Sequence, residues 1–124
     1  MKRLIFVLIL VLVFMCGCSS ESTPKVVSVN KDKAVELIND GALLIDVRGL
    51  LEYNQGHIEG AINIDVQDIL NMTDSLRYDN ANISKDKKII VYCRSGSRSS
   101  SAAAKLIELG YKNVYDLGSM DNWN

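Results

Sequence analysis

The fold of this chain is indicated most directly by the stretch Ile89-Ile90-Val91-Tyr92-Cys93-Arg94-Ser95-Gly96-Ser97-Arg98-Ser99. Its apolar first part predicts a strand, and the run from Ser100 to Leu109 that follows predicts a helix, so the Gly/Ser/Arg segment is a tight loop at a helix N-terminus. Backbone N–H groups and the positive end of the helix macrodipole favour negative charge at such a place. We therefore expect Cys93 to be a thiolate nucleophile rather than an inert buried cysteine.

Strands and helices alternate in the sequence on both sides of this loop. Apolar runs predict strands at residues 26–29, 42–47, 62–66, 89–92 and 113–117. Helical spacing predicts helices at residues 31–39, 68–76 and 98–109, the first with Asn30 as N-cap and Gly41 as stop, the last with Gly110 as C-cap. The polar residues 77–88 predict a solvated loop. The alternation predicts an α/β domain with a small, mainly parallel sheet flanked by helices, and Cys93 then lies at the carboxyl end of a strand, where such sheets bind ligands.

The first residues of the chain have the pattern of an export signal. Lys2-Arg3 precedes an apolar run of 12 residues, Leu4 to Met15, and small residues follow it. A bilayer span needs about 20 residues, so a cleaved signal peptide is favoured over an uncleaved membrane anchor. The segment Met15-Cys16-Gly17-Cys18 resembles a bacterial lipobox, which implies lipidation of Cys18. We expect a lipoprotein signal peptide at residues 1–17, a tether at 18–25 and a domain at 26–124; the alternative is an ordinary signal peptide and a soluble exported protein.

Charge and cysteine content narrow the partners of the mature chain. Cleavage before Cys18 leaves 12 basic against 15 acidic side chains, a net charge of −3, which argues against a nucleic-acid partner. The contact with the membrane is then the N-terminal lipid, on the extracytoplasmic side. Cys93 remains as the one free thiol of that mature chain, so no disulfide forms within it and the thiol is a candidate reactive group.

Two separate motifs match one protein family. The segment Leu44-Ile45-Asp46-Val47-Arg48, followed by Glu52-Tyr53 and by the run from Gly56 to Asn63, resembles the N-terminal signature of rhodanese domains, and the Cys93 loop resembles their active-site loop. Closing residues up to Trp123 are also similar, although Ser119 stands where the family usually has a second glycine. The resemblance runs in the expected order from Val26 to Trp123.

The resemblance implies sulfur transfer through a Cys93 persulfide. A small anionic donor such as thiosulfate supplies the sulfur, and a thiol or cyanide accepts it, with no metal or organic cofactor. The loop residues suit this chemistry, because the N–H groups from Arg94 to Ser99 can form an anion-binding nest. Arg94 and Arg98 add positive charge, and the planar fork of Arg98 suits an oxyanion. The remaining substrate-binding candidates are three hydroxyl donors and a residue that tolerates positive φ: Ser95, Ser97, Ser99 and Gly96.

Three further polar residues are expected to support the loop rather than to react. Asp46 and Arg48 form a charged pair at the end of a buried strand, which most often binds neighbouring backbone. His57 is the only histidine of the chain and could be a general base for Cys93. Its position inside the Gly56-His57-Ile58 motif favours a structural hydrogen bond instead. We expect a monomer.

Two other functions compete with sulfur transfer. Phosphatases related to rhodaneses have five residues between the cysteine and the arginine of their loop, whereas four residues separate Cys93 from Arg98. The shorter ring fits a single sulfur atom better than a phosphate group. A sulfur-carrier or binding module of the cell envelope, without turnover of its own, is the second alternative.

Overall fold

The computed structural model describes residues 23–124 of the chain. The predicted signal peptide, the lipidation site Cys18 and the first part of the tether lie outside these residues. The elements in chain order are β1 (Val27–Ser28), α1 (Lys31–Asn39), β2 (Leu43–Asp46), α2 (Leu50–Gln55), β3 (Ile62–Asn63), α3 (Val66–Leu70), β4 (Arg77–Tyr78), β5 (Ala81–Asn82), β6 (Lys88–Cys93), α4 (Ser97–Glu108), β7 (Asn113–Ser119) and a closing 3-10 turn (Met120–Trp123). No helix among residues 23–124 has the length and apolar character needed to cross a membrane.

The main sheet has five strands in the order β1-β7-β6-β2-β3. Every neighbouring pair in it is parallel. The prediction of an α/β fold with a mainly parallel sheet flanked by helices is therefore confirmed. Because the strands are parallel, the ends of β2, β6 and β7 meet at one edge of the sheet, and Cys93 is the last residue of the central strand β6.

The two faces of the sheet carry separate hydrophobic cores. In β6, Ile89, Val91 and Cys93 face the layer of α3 and α4, whereas Ile90 and Tyr92 face the layer of α1. This alternation follows from the two-residue period of a strand, and both sets are fully buried. The cysteine therefore enters the site from the same side as the helix that follows it.

Helix α4 packs on this face because its small side chains recur with helical spacing. Its buried residues are Ser99, Ala102, Ala103 and Leu106, which lie on one stripe of the helix. Small residues let the helix approach the sheet closely, and this brings its first turn directly over the end of β6.

Several predicted boundaries are wrong. The strand expected at 62–66 ends at Asn63, because the Asp65 carboxylate accepts the Gln67 N–H at 2.9 Å and starts a helix there. The helix expected at 68–76 accordingly runs from Val66 to Leu70, while Leu76 is fully buried and its N–H donates to the Tyr111 hydroxyl at 2.8 Å. The segment 77–88 holds the β4–β5 hairpin, and helix α2 was not predicted at all.

Candidate active site

Cys93 lies beneath the loop that follows it, and an N–H group of that loop donates to its sulfur. The side chain is fully buried, and the Gly96 N–H donates to Sγ at 3.0 Å. Burial raises the pKa of the Cys93 thiol, but the Ser99 N–H, the Ser99 hydroxyl and the N–H groups of Gly96 and Ser95 outweigh it and bring the pKa below its ordinary value. Among residues 23–124, the Gly96 N–H at the N-terminus of α4 is the donor within hydrogen-bond distance of Sγ, and the Ser99 hydroxyl donates to the Gly96 carbonyl oxygen at 3.1 Å.

Gly96 makes this loop geometry accessible. It precedes α4 with φ +100°, a left-handed conformation that other residues adopt only with strain. A side chain at this position would also stand 3.8 Å from the Cα atom of Gly118, so the loop lies directly against the end of β7.

Ser119 fastens the other side of the loop. Its hydroxyl donates to the Arg94 carbonyl oxygen at 2.6 Å and accepts the Asp121 N–H at 3.1 Å. The residue that departs from the family pattern therefore links the Cys93 loop to the closing 3-10 turn. This leaves the Arg94 side chain exposed at the rim.

The guanidinium fork of Arg98 is occupied by Glu52. Nη1 and Nη2 of Arg98 donate to the two carboxylate oxygens at 2.7 and 3.0 Å. This pairing lowers the pKa of Glu52 to about 2, chiefly through the hydrogen bonds from Arg98. The structure therefore places Arg98 beside the loop, as the sequence predicts, but its fork faces a carboxylate of α2 instead of open space.

An open depression of about 300 Å³ borders the loop. It is lined by Arg48, Glu52, Gln55, Gly56, Arg94 and Met120. Arg94 forms none of the ion pairs found among residues 23–124. Ser95 and Ser97 are exposed on the loop, and Ser99 is buried beneath it. Arg94 is the residue of the Cys93 loop that lines this depression.

Asp46 and Arg48 form a buried pair next to this depression. The Arg48 Nη2 atom donates to Asp46 Oδ2 at 2.8 Å, and its backbone N–H donates to Oδ1 at 2.9 Å. The same guanidinium donates to the Gly56 carbonyl oxygen at 2.6 Å. The Asn63 amide adds hydrogen bonds to the carbonyl oxygens of Asp46 and Arg48, at 3.0 and 2.8 Å. The pair thus ties the end of β2 to the segments on either side of α2.

His57 lies apart from Cys93. Its ring stacks on that of Tyr53 at 3.7 Å, and Nδ1 lies 2.9 Å from the Tyr53 carbonyl oxygen, where an Nδ1–H donates. The side chain is exposed, and none of the hydrogen bonds found within residues 23–124 joins it to Cys93. The neighbouring Ile58 N–H donates to the Tyr92 hydroxyl at 3.0 Å, so the motif around His57 is fastened to β6.

Sequence reasoning did not identify two residues that shape the site. The sequence shows Glu52 only as part of a motif and does not indicate its pairing with Arg98, because the two residues lie 46 positions apart in the chain. Ser119 was noted only as a departure from the family pattern. A carboxylate within the motif and a hydroxyl in place of a glycine were the available indications, but neither names its partner.

Comparison with known proteins agrees with this geometry. The family model described as "Rhodanese-like domain" matches residues 30–124, and the chain belongs to that family. It is 31% identical over 96 residues to thiosulfate sulfurtransferase GlpE of Haemophilus influenzae, covering 77% of this chain and 85% of that protein. It superposes on the human single-domain sulfurtransferase TSTD1 with a TM-score of 0.65 and 27% identity, covering 79% and 93% of the two chains. A rhodanese with anions from E. coli matches with a TM-score of 0.57 and 33% identity, covering 66% and 91%.

Proposed function

We propose that this chain is a thiosulfate sulfurtransferase that carries sulfane sulfur on Cys93. The observation that carries the proposal is the buried Cys93 sulfur at the carboxyl end of β6, which accepts the Gly96 N–H at 3.0 Å at the start of α4. Membership of the rhodanese-like family and the similarity to a thiosulfate sulfurtransferase support it. Donors other than thiosulfate that carry a transferable sulfane sulfur suit the same chemistry.

The reaction has two displacements at sulfur. The Cys93 thiolate attacks the outer sulfur of thiosulfate, a sulfur–sulfur bond forms at the enzyme, the original sulfur–sulfur bond breaks, and its electron pair leaves with sulfite. In the second step cyanide or a thiolate attacks the outer sulfur of the persulfide, and the Cys93 thiolate is the leaving group. Charge is conserved in both steps, since a persulfide anion replaces the thiolate and sulfite carries away the two charges of thiosulfate.

The loop supplies the electrostatic part of this chemistry. The Gly96 N–H already donates to the Cys93 sulfur, so it can stabilise the thiolate before the first step and the persulfide after it without reorganising. The exposed Arg94 side chain can meet the oxyanion end of the donor at the rim of the depression. The four-residue spacing between Cys93 and Arg98 suits a single added sulfur atom better than a phosphate group.

The direct test is the intact mass of residues 21–124 before and after thiosulfate. We expect Cys93 to gain one sulfur atom, cyanide to remove it as thiocyanate, and Cys93→Ser to gain nothing. A wild-type chain that stays unmodified with thiosulfate, but accepts sulfur from another persulfide and releases it slowly, would favour the carrier function instead. Hydrolysis of a phosphate ester that depends on Cys93 would favour a phosphatase.

We further propose that the mature chain is anchored by a lipid on Cys18 at the extracytoplasmic side of a membrane. Residues 1–17 and the lipobox-like segment support this. Strand β1 runs parallel to β6 through β7, so the chain enters the sheet at the edge opposite Cys93. The anchor would then leave the active site directed away from the lipid surface.

The anchor is tested by labelling cells with a radioactive fatty acid. We expect label on the full chain, none on a Cys18→Ser variant, and no change with Cys16→Ser. Label that persists in the Cys18→Ser variant would contradict the assignment.

A further inference from the structure

The two carboxylate–arginine pairs at the rim leave the site with little free positive charge. The fork of Arg48 is held by Asp46, and that of Arg98 is held by Glu52. Among residues 23–124, Arg94 is the one arginine lining the depression that forms no ion pair. The thiolate of Cys93 adds a negative charge, so an incoming dianion meets one unpaired cation.

We propose that Glu52 is a specificity-determining residue, which by holding the Arg98 fork withholds a cation from the donor and so favours sulfur donors of low negative charge over dianions. This inference rests on the proposed function, whose donor class it narrows. Persulfides and thiosulfonate monoanions are the favoured class, and thiosulfate remains a substrate with a higher KM. Two parallel hydrogen bonds from one guanidinium to one carboxylate use the geometry that would otherwise clasp two oxygens of a donor.

The pair is not required to hold α2 in place. Helix α2 has no fully buried side chain, and its one residue packed against a core is Tyr53. Its C-terminal half is fastened by two other contacts, the Tyr53 hydroxyl to the Ala61 carbonyl oxygen at 2.6 Å and Arg48 to the Gly56 carbonyl oxygen at 2.6 Å. Because Glu52 is partly exposed and is not the sole fastening of its helix, its main effect is on the charge of the site.

Glu52 is not protonated near neutral pH, so a change of pH in that range does not free the Arg98 guanidinium. Arg98 lowers the pKa of Glu52 to about 2, so the carboxylate stays charged near neutral pH. Neither group is deeply buried, each side chain being 37% exposed. Glu52 therefore stays charged and able to pair with Arg98 throughout the neutral pH range.

The test compares unreactive anions, so that it does not depend on sulfur transfer. The full chain, isotopically labelled for NMR and held in mild detergent, is titrated with sulfate, which is a dianion, and separately with methanesulfonate, which is a monoanion. Binding is measured from the amide chemical shifts of the Cys93 loop. We expect Glu52→Gln to tighten sulfate by about threefold to tenfold, and methanesulfonate by less, because the freed fork gains a charge-assisted contact. The KM for thiosulfate should fall by a similar factor with little change in kcat.

Three further variants make the result specific. Glu52→Gln/Arg98→Met removes a pair of zero net charge and should bind sulfate within about twofold of the wild type. Glu52→Asp keeps the charge with a shorter arm and should act in the same direction more weakly, which covers a Glu52→Gln variant of lowered melting temperature. Asp40→Asn removes an exposed carboxylate paired with Lys88 at the opposite edge of the sheet, and should leave sulfate binding unchanged.

Unchanged or weaker sulfate binding in Glu52→Gln overturns the inference, because Glu52 would then hold Arg98 in place for the anion. A double variant that binds sulfate far more weakly than the wild type overturns it as well, since Arg98 would already touch the anion. Failure of thiosulfate to sulfurate Cys93 in the wild type would instead count against the proposed function, and the anion titration would still decide the role of Glu52.

Discussion

The Asp46–Arg48 pair and the Glu52–Arg98 pair border the same depression, but they differ in burial and in what they hold. The side chains of the first pair are 0% and 4% exposed, whereas both side chains of the second are 37% exposed. Arg48 also binds a backbone carbonyl oxygen, and Asp46 accepts the Arg48 N–H. A buried pair of this kind mainly sustains the fold, because loss of one partner leaves an uncompensated charge. A half-exposed pair contributes little stability and can change the charge that a ligand meets.

The largest expected difference between the pairs is in stability. Arg48→Met strands the Asp46 carboxylate in the protein interior and should lower the free energy of unfolding by about 3–5 kcal/mol. Arg98→Met, the matched control, should lower it by less than about 1 kcal/mol. Urea unfolding of both variants measures the two values. Equal losses would show that the comparison between a structural pair and a surface pair is wrong.

The next largest effect is on the pKa of the Cys93 thiol. Ser99→Ala removes the hydroxyl that helps to lower the pKa of Cys93, so that pKa should rise and the thiolate fraction at neutral pH should fall. We expect sulfuration by thiosulfate at neutral pH to slow by about threefold to tenfold, with the rate recovering at higher pH. A pH–rate profile measures the shift. A profile identical to that of the wild type would mean that the backbone donors alone hold the thiolate.

A smaller effect is expected at the far side of the loop. Ser119→Ala removes the acceptor for the Asp121 N–H and the donor to the Arg94 carbonyl oxygen. Loss of such a capping hydroxyl costs about 1 kcal/mol, and the KM for thiosulfate should rise because Arg94 is less well placed. Thermal unfolding and steady-state kinetics measure the two consequences. Unchanged KM with lowered stability would show that Ser119 acts only as a cap. The charge at the rim would then depend on the two carboxylate–arginine pairs and not on how Ser119 holds Arg94.

The smallest effect is the pH dependence that distinguishes the exposed pair. Because the pKa of Glu52 is lower in the folded chain, about 2 against 4.5 ordinarily, its stabilising contribution is complete above the ordinary value and disappears as the pH falls toward 2. Glu52→Gln should therefore flatten the fall of unfolding free energy in that acid range, by less than about 1 kcal/mol. Urea unfolding at a series of acid pH values measures it. Asp40→Asn serves as control for acid effects elsewhere, since the Lys88 ion pair also lowers the pKa of Asp40.

Local sequence predicted the elements whose causes are local. Helix α1 has the predicted bounds, with the Asn30 side chain accepting the Lys33 N–H at 2.9 Å as its cap. The central strand and the helix after the Cys93 loop were each placed within one residue at either end. Prediction failed for a local reason at Asp65, whose cap on the Gln67 N–H starts α3, and for a distant reason at Leu76. Leu76 leaves the predicted helix for a hydrogen bond to Tyr111, 35 residues away.

Local sequence predicts the alternation of the main strands and helices, the position of Cys93 at a strand end and the conformational freedom that Gly96 gives its loop. These follow from period, capping and backbone sterics, which act between neighbours in the chain. Tertiary packing, in contrast, brings the Arg98 guanidinium to Glu52 and the Ser119 hydroxyl to the Arg94 carbonyl oxygen. Glu52 and Arg98 are 46 positions apart in the chain, and Arg94 and Ser119 are 25 positions apart. They meet because parallel strands bring the ends of remote segments to one edge of the sheet. These long-range pairs set the charge at the rim of the depression, so local sequence does not predict that charge.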